Sequence, residues 1–589
     1  MSLVQFYARI KDSMMDWSEN LLVWEQHQKF QEDKNSHFHW LFPTFIALFF
    51  ALENPLLYGM APAYDASLFA TMGKMWADGG VLYRDMIDIK GPVIFLFDAW
   101  GYLIGGFQGI WLFETFFLIL GLNALYRTLF LLGVSPLSRL IGMSVWMVLY
   151  AWRYYYGNMT EDYTFHLSLI AQYYFVRMLL SDHFRWRDAV FPALSFGFIA
   201  MMRMNNASMW CGYYLAIFLI WCFAKRWPDV IRLTLSGVAG LLIVALPLLG
   251  YFAWHGVLPN FWFYSFGIFF GNSYGNGHSL MVGLMGLVRT GALIFIPVFV
   301  WMVLQQQKAE DGVLLRRLLG CLATILLMGV VANSVSGHTY EHYEILFFSS
   351  AILLLPIVIH LCRWGSISVF TESTALKYAA RATLLVWLGY IFAQHLIFTW
   401  SRFESPIPKM LHELSVSFFA GCIFCVLLVG AYYLHRARTL RLPVMMSLSI
   451  LVLAVILVPP IKGLTKGYPF DDVSAAMVNY ITENSGYDDL LWVDGITPQY
   501  YVWTDRRPAS AYLFFDNVTP PYDVREKMKE DLERNKPKFI IVKLTRMEKV
   551  YSGTDKDSTP SFKAYYDYIQ QAYEPVSPEL PRLYRLKAE

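Results

Sequence analysis

Long apolar runs separated by short polar connections recur along this chain. They lie near 39–56, 110–133, 138–153, 162–180, 188–203, 206–224, 232–254, 281–304, 315–333, 344–362, 379–400, 413–434 and 442–462. An α-helix needs about 20 apolar residues to cross a ~30 Å hydrocarbon layer. The pattern therefore predicts a polytopic α-helical membrane protein of about 13 transmembrane helices. The run at 93–104 (VIFLFDAWGYLI) is too short to cross and reads as an interfacial or re-entrant helix inside the first long connection, 57–109. Residues 1–38 carry no small-residue cleavage pattern, so the first run reads as a retained span.

The pattern changes after about residue 463. Helix-like stretches (Asp472 to Glu483, Phe562 to Ala572) alternate with strand-like ones (Leu490 to Val493, Phe539 to Val542), separated by turn residues. Residues 463–589 are thus expected to form a small, water-soluble α/β domain after a membrane domain at 39–462.

Charge gives the orientation. Arg139, then Arg185 and Arg187, then Lys225, Arg226 and Arg232 fall in alternate connections. The series continues with Lys308, Arg316 and Arg317, with Arg363, Lys377 and Arg381, and with Arg436, Arg438 and Arg441. The intervening connections hold few Lys or Arg. By the positive-inside rule the basic set and the N-terminus are cytoplasmic. The 57–109 loop and the C-terminal domain then face outward from a cytoplasmic (inner) membrane.

Composition agrees. Of 589 residues, 56% are hydrophobic and 16% charged, against about 25% charged for soluble proteins. Net charge is +2, which gives no reason to expect nucleic acid as a partner. Six cysteines (Cys211, Cys222, Cys321, Cys362, Cys422, Cys425) all lie in apolar segments and read as small buried hydrophobes.

Polar residues collect at the outward ends of the runs. The first loop reads AYDASLFATMGKMWADGGVLYRDMIDIKGP over 63–92. Asp65 opens a helix-like stretch, where a capping role is expected. Asp85, Asp88 and Lys90 follow, and Gly91-Pro92 turns the chain toward the membrane. Asn158, Thr160, Glu161 and Asp162 sit in YYYGNMTEDY; Arg203, Asn205 and Asn206 in MMRMNN; His338, Glu341, His342 and Tyr343 in SGHTYEHY. Ionisable groups are costly in a bilayer and mark function or a water-filled hollow. Their convergence on one side fits a cavity for a polar, anionic substrate. His338 and His342 have no third ligand nearby, and no ligand spacing supports a divalent metal at Asp65 with another carboxylate; no cofactor is expected with certainty.

The run Tyr64-Asp65, then Leu82-Tyr83-Arg84-Asp85, then Asp88-Ile89-Lys90-Gly91-Pro92 resembles the first periplasmic loop of the GT-C membrane glycosyltransferases. The likeness is to the protein O-mannosyltransferase-like and aminoarabinose-lipid A transferase-like members. NMTEDY, RMNN and YEHY resemble their other outer-loop signatures. The chain departs in two places: Ala66 stands where many relatives have a second carboxylate, and Gly91 separates Lys90 from Pro92.

The resemblance implies transfer of a sugar from a polyprenyl-phosphate donor to a cell-envelope acceptor, among membrane lipids. A carboxylate, Asp65, would take the acceptor proton. Lys90, Arg203 and His342 would meet the donor phosphate. Tyr83, Arg84, Asp85, Asp88, Asn158, Glu161, Asn205, Asn206 and Tyr343 would orient sugar hydroxyls or hold those cations. A transporter or flippase of an anionic precursor also needs many spans and buried charge. It would more often show internal repeats, and none is apparent. A glycan ligase or polymerase would place its long outer loop late in the chain rather than first.

Overall fold

The structure, a computed structural model, describes residues 38–52, 54–151, 157–181, 183–267, 280–305, 312–336, 343, 345, 347, 352–364, 373–401, 472–495, 497–513, 524–554 and 558–588. In chain order the helices of the apolar part are α1 (Phe38–Ala51), α2 (Tyr64–Ala77), α3 (Pro92–Leu131), α4 (Pro136–Ala151), α5 (Thr160–Ser181), α6 (Trp186–Met202) and α7 (Ser208–Phe223). They continue as α8 (Trp227–Trp254), α9 (Leu280–Arg289), α10 (Ile296–Gln305), α11 (Gly312–Ser336), α12 (Leu354–Trp364) and α13 (Thr374–Ser401). Every expected span up to residue 400 has a helix on it. The last two, 413–434 and 442–462, lie outside the described residues, as do Cys422 and Cys425.

Among the described residues, four helical stretches qualify as spans by length and hydropathy: Pro92–Leu131, Met204–Phe223, Trp227–Trp254 and Arg316–Val335. The pair Leu280–Arg289 and Ala292–Met302, bent by 64°, would make a fifth. The expected span 281–304 is therefore broken just after Arg289. Helix α5 falls short for a physical reason. It carries Glu161, Asp162, His166 and Gln172, all buried, because it runs through the bundle interior and needs no lipid-compatible surface. Helix α8, by contrast, turns Leu242, Ile243 and Leu246 outward, the surface a bilayer covers and water does not.

Helix α3 is two arms. Gly106 adopts φ 63°, ψ −147°, which an L side chain rarely tolerates, and the chain reverses there. A Cβ on Gly109 would lie 2.1 Å from the Gly101 carbonyl oxygen, so the arms pack backbone against backbone. The apolar segment 93–104 is thus a short arm folded back on the helix that follows.

The C-terminal part contains α14 (Asp472–Asn484), β1 (Leu490–Val493), α15 (Gln499–Thr504), β2 (Arg507–Pro508), α16 (Val524–Asn535), β3 (Phe539–Ile541), α17 (Leu544–Tyr551), α18 (Pro560–Ala572), β4 (Tyr573–Pro575) and β5 (Leu583–Leu586). Sheet order is β2-β1-β3-β5-β4. The β1 pairings to β2 and β3 are parallel, and β5 runs antiparallel to β3 and β4. Leu491, Trp492 and Val493 of β1 and Phe539, Ile540 and Ile541 of β3 are all buried, as expected for central strands covered on both faces. This is the expected α/β domain.

It is docked on the first long loop. Lys74 of α2, almost wholly buried, forms an ion pair with Asp505, and its ammonium lies 4.6 Å from the Tyr487 ring centre. The Tyr487 hydroxyl donates to Asp78 (3.1 Å), and the Ile87 amide donates to the Ala511 carbonyl (2.9 Å).

Candidate active site

Helix α2 starts at Tyr64 with Ala63 as its N-cap, and no side chain caps it. Asp65 lies in the first turn rather than at the cap, which corrects the capping role expected for it. The helix has begun one residue before Asp65, so it is Ala63 and not Asp65 that stands at the cap. Asp65 is half-buried, and its side chain makes no hydrogen bond or ion pair among the described residues. A carboxylate left this way is available to a ligand.

Asp88 lies within electrostatic reach of both Asp65 and Lys90. It is buried, and its Oδ1 accepts the Lys90 amide (2.7 Å). Burial raises its pKa above the usual carboxylate range, while the Lys90 charge and the amides of Lys90 and Ile89 pull it back. Asp88 therefore closes the turn that presents Lys90.

Gly91 joins that turn to α6. Its amide donates to the Met202 carbonyl (3.0 Å), and a Cβ there would lie 2.1 Å from the Met201 carbonyl oxygen. Only glycine allows this approach. The residue that interrupts the Lys-Pro pattern thus sets the backbone of the Lys90 turn against the end of α6, whose C-cap is Arg203. Substituting Gly91→Ala should overpack the contact and cost about 1–3 kcal/mol. A lowered Tm of the purified protein checks this; an unchanged Tm would mean that the two backbones do not meet so closely.

The Arg203 guanidinium pairs with Glu161 and lies 4.2 Å from the centre of the Tyr343 ring. Glu161 also accepts from the Thr160 hydroxyl (2.8 Å). Two side chains thus hold the plane of the guanidinium. Asn206 donates from Nδ2 to the Thr164 hydroxyl (2.9 Å), which ties the turn after Arg203 to α5. Asn205 is half-buried on the same turn. His342, with His338 and Glu341, lies outside the described residues.

Tyr83 is fully buried at φ 65°. Its hydroxyl donates to the Lys90 carbonyl (2.8 Å) and lies 2.9 Å from the Ser265 hydroxyl. Burial pushes its pKa up. It braces the loop from within. Arg84 and Asp85 form an exposed two-point pair, with Nε to Oδ1 at 3.0 Å and Nη2 to Oδ2 at 2.9 Å. The Asp85 pKa is lowered mainly by its hydrogen bond from Arg84.

Sequence reasoning missed two carboxylates. Asp98 on the short arm of α3 and Glu114 on its long arm are both buried and meet at Asn158. The Asn158 amide donates to Glu114 Oε2 (3.1 Å), and its Nδ2 donates to Asp98 Oδ2 (2.8 Å) and to the Ala66 carbonyl (3.2 Å). Asn54 also donates to Glu114 (2.8 Å). Asn158 holds φ 58°, a conformation Asn tolerates better than most residues. Because Ala66 follows Asp65, this network fixes the turn that carries the candidate base. The signal was present, since an acid inside an apolar run is rarely idle. Among the described residues, no group of three His, Cys, Asp or Glu side chains converges as a metal site would require.

The fold matches that of ArnT from Cupriavidus metallidurans in a crystal structure bound to undecaprenyl phosphate. The TM-score is 0.57 at 13% identity, over 92% of this chain and 97% of that one. The apo structure of ArnT from the same organism gives a TM-score of 0.57 at 14% identity over the same shares. No family model matches the chain, and no curated protein matches it. The chain thus shares the fold of these ArnT structures, and its long apolar helices make it a multi-pass membrane protein.

Proposed function

We propose that this protein is a glycosyltransferase that moves a sugar from a polyprenyl-phosphate donor to a cell-envelope acceptor at the outer face of the cytoplasmic membrane, with inversion. The reading rests on Asp65, a carboxylate with no side-chain partner among the described residues, on Asp88 within electrostatic reach of both Asp65 and Lys90, and on the packing of Gly91 against the end of α6, just before Arg203. The fold likeness to a protein crystallised with undecaprenyl phosphate supports a polyprenyl-phosphate donor.

In this reading Asp65 accepts the proton of the acceptor hydroxyl as its oxygen attacks the anomeric carbon. The bond from that carbon to the phosphate oxygen breaks, and the polyprenyl phosphate leaves with the electron pair. Lys90 and Arg203 stabilise the charge that develops on it, with His342 as a third cationic partner. Glu161 and Tyr343 orient Arg203, Asp88 sets the Lys90 turn, and Tyr83 braces it. Asn158 holds the Asp65 turn from beneath, while Arg84, Asp85, Asn205 and Asn206 meet sugar hydroxyls.

Purified protein incubated with a panel of polyprenyl-phosphate sugars and an envelope extract should consume at least one donor. Binding without consumption of any donor would instead favour a transporter of lipid-linked precursors.

A further inference from the structure

A hollow lies at the seam between the first long loop, the segment after α8 and the C-terminal domain, and its lining includes Arg84 and Asp85 but neither Asp65 nor Lys90. Its volume is about 640 Å³, within the range of small-molecule sites. It presents three cations (Arg84, Lys527, Arg534) against three carboxylates (Asp85, Glu530, Asp531). The net charge of that lining is zero, so it offers no field that would draw in a phosphate.

Its chemistry suits something else. Arg84 pairs with Asp85, and Arg534 with Asp531 (2.5 Å). Each pair sets planar donors beside planar acceptors. A sugar hydroxyl donates and accepts at once, and neighbouring hydroxyls on one ring match such a surface. Tyr264 of the membrane domain and Tyr512 of the C-terminal domain face each other across the seam, hydroxyl to hydroxyl at 3.4 Å. Both tyrosines are buried and form the floor of the hollow, and the half-buried Phe263 adds apolar surface at its wall for the C–H side of a pyranose.

The hollow is also near the candidate active site. Asp85 lines it and Asp88 closes the Lys90 turn, and these residues are three apart. Even a fully extended chain separates their Cα atoms by at most about 11 Å. Between them, Ile87 is pinned to Ala511 of the C-terminal domain (2.9 Å), so the spacing is held.

We infer that this seam binds an uncharged carbohydrate portion of the acceptor and presents a neighbouring hydroxyl to Asp65. The site itself stands on the lining, whereas its role as an acceptor site rests on the transferase reading. The C-terminal domain then acts as half of the acceptor site.

The test uses the full chain in nanodiscs, with a set of neutral di- and trisaccharide methyl glycosides and a sialylated trisaccharide as the charged control. Saturation-transfer NMR should detect at least one neutral glycan. Its affinity should fall at least tenfold in the paired Glu530→Ala, Arg534→Ala variant, which keeps the formal charge balance and changes two exposed α16 residues. The Tyr512→Phe variant, which loses one hydroxyl and no packing, should weaken binding less. Undecaprenyl phosphate binding, followed by thermal shift, should be unaltered in both. Absence of binding by every neutral glycan, preference for the charged one, or undiminished affinity in the paired variant would overturn the proposal. Neutral-glycan binding in a wild-type protein that neither binds nor consumes any polyprenyl-phosphate donor would leave the carbohydrate site standing and remove the transferase reading.

Discussion

The Asp65→Asn protein should insert, fold and bind donor like the wild type, yet transfer sugar about 10²–10⁴-fold more slowly, the range lost with a general base. The separation of these effects comes from the geometry. Asp65 does not cap α2, and its side chain makes no hydrogen bond or ion pair among the described residues. Its amide counterpart therefore breaks nothing, and the stability change should stay within about 0.5 kcal/mol. The turn itself is held by Asn158 on the neighbouring Ala66 carbonyl, which the substitution leaves in place. What disappears is a half-buried carboxylate within electrostatic reach of Asp88. Single-turnover transfer, read beside thermal stability and donor binding, checks all three. A rate within a few-fold of wild type would remove Asp65 from the role of base and would point to Asp88 or Glu161, the carboxylates beside Lys90 and Arg203.

The helices were legible because lipid-facing and core-facing segments are both apolar, and run length alone marks them. The tail strands Leu490–Val493 and Phe539–Ile541 were legible because they are buried runs bounded by turns. Their place in the sheet was not. The order β2-β1-β3-β5-β4 depends on pairings between residues far apart in sequence, and β4 (YEP) and β5 (LYRL) carry charged residues and a proline rather than the apolar runs of β1 and β3. At the site, Lys90 and Arg203 stood out as cations on an outward side where few occur. The packing of the Lys90 turn on the end of α6 did not, because it depends on a glycine whose missing Cβ matters only once α6 is in position. Asp98 and Glu114 were passed over for a related reason. Attention went to polar clusters at helix ends, whereas these two acids sit alone within apolar stretches and become a cluster only when α3 doubles back at Gly106. The capping role for Asp65 followed from residue preference and missed by two positions, the N-cap being Ala63, within the error inherent in helix starts.

Arg203 tests whether the cationic end of the site binds donor or only braces the bundle. The Arg203→Ala change strips the partner from Glu161, whose side chain is 1% exposed. Breaking a buried pair on one side typically costs 3–5 kcal/mol, because the remaining charge is left without compensation. Loss of activity in that variant would therefore say little by itself. The informative protein is Arg203→Met with Glu161→Gln, which replaces the pair by groups of similar size and no charge. Such swaps are often neutral, so most of the lost stability should return. Activity should not. A missing charge donor at a developing oxyanion costs about 10²–10³-fold, and the Glu161 amide cannot supply a cation in its place. Unfolding measured alongside donor KM and kcat distinguishes the two roles. Recovery of stability and transfer together would make Arg203 a structural strut and leave Lys90 as the phosphate ligand.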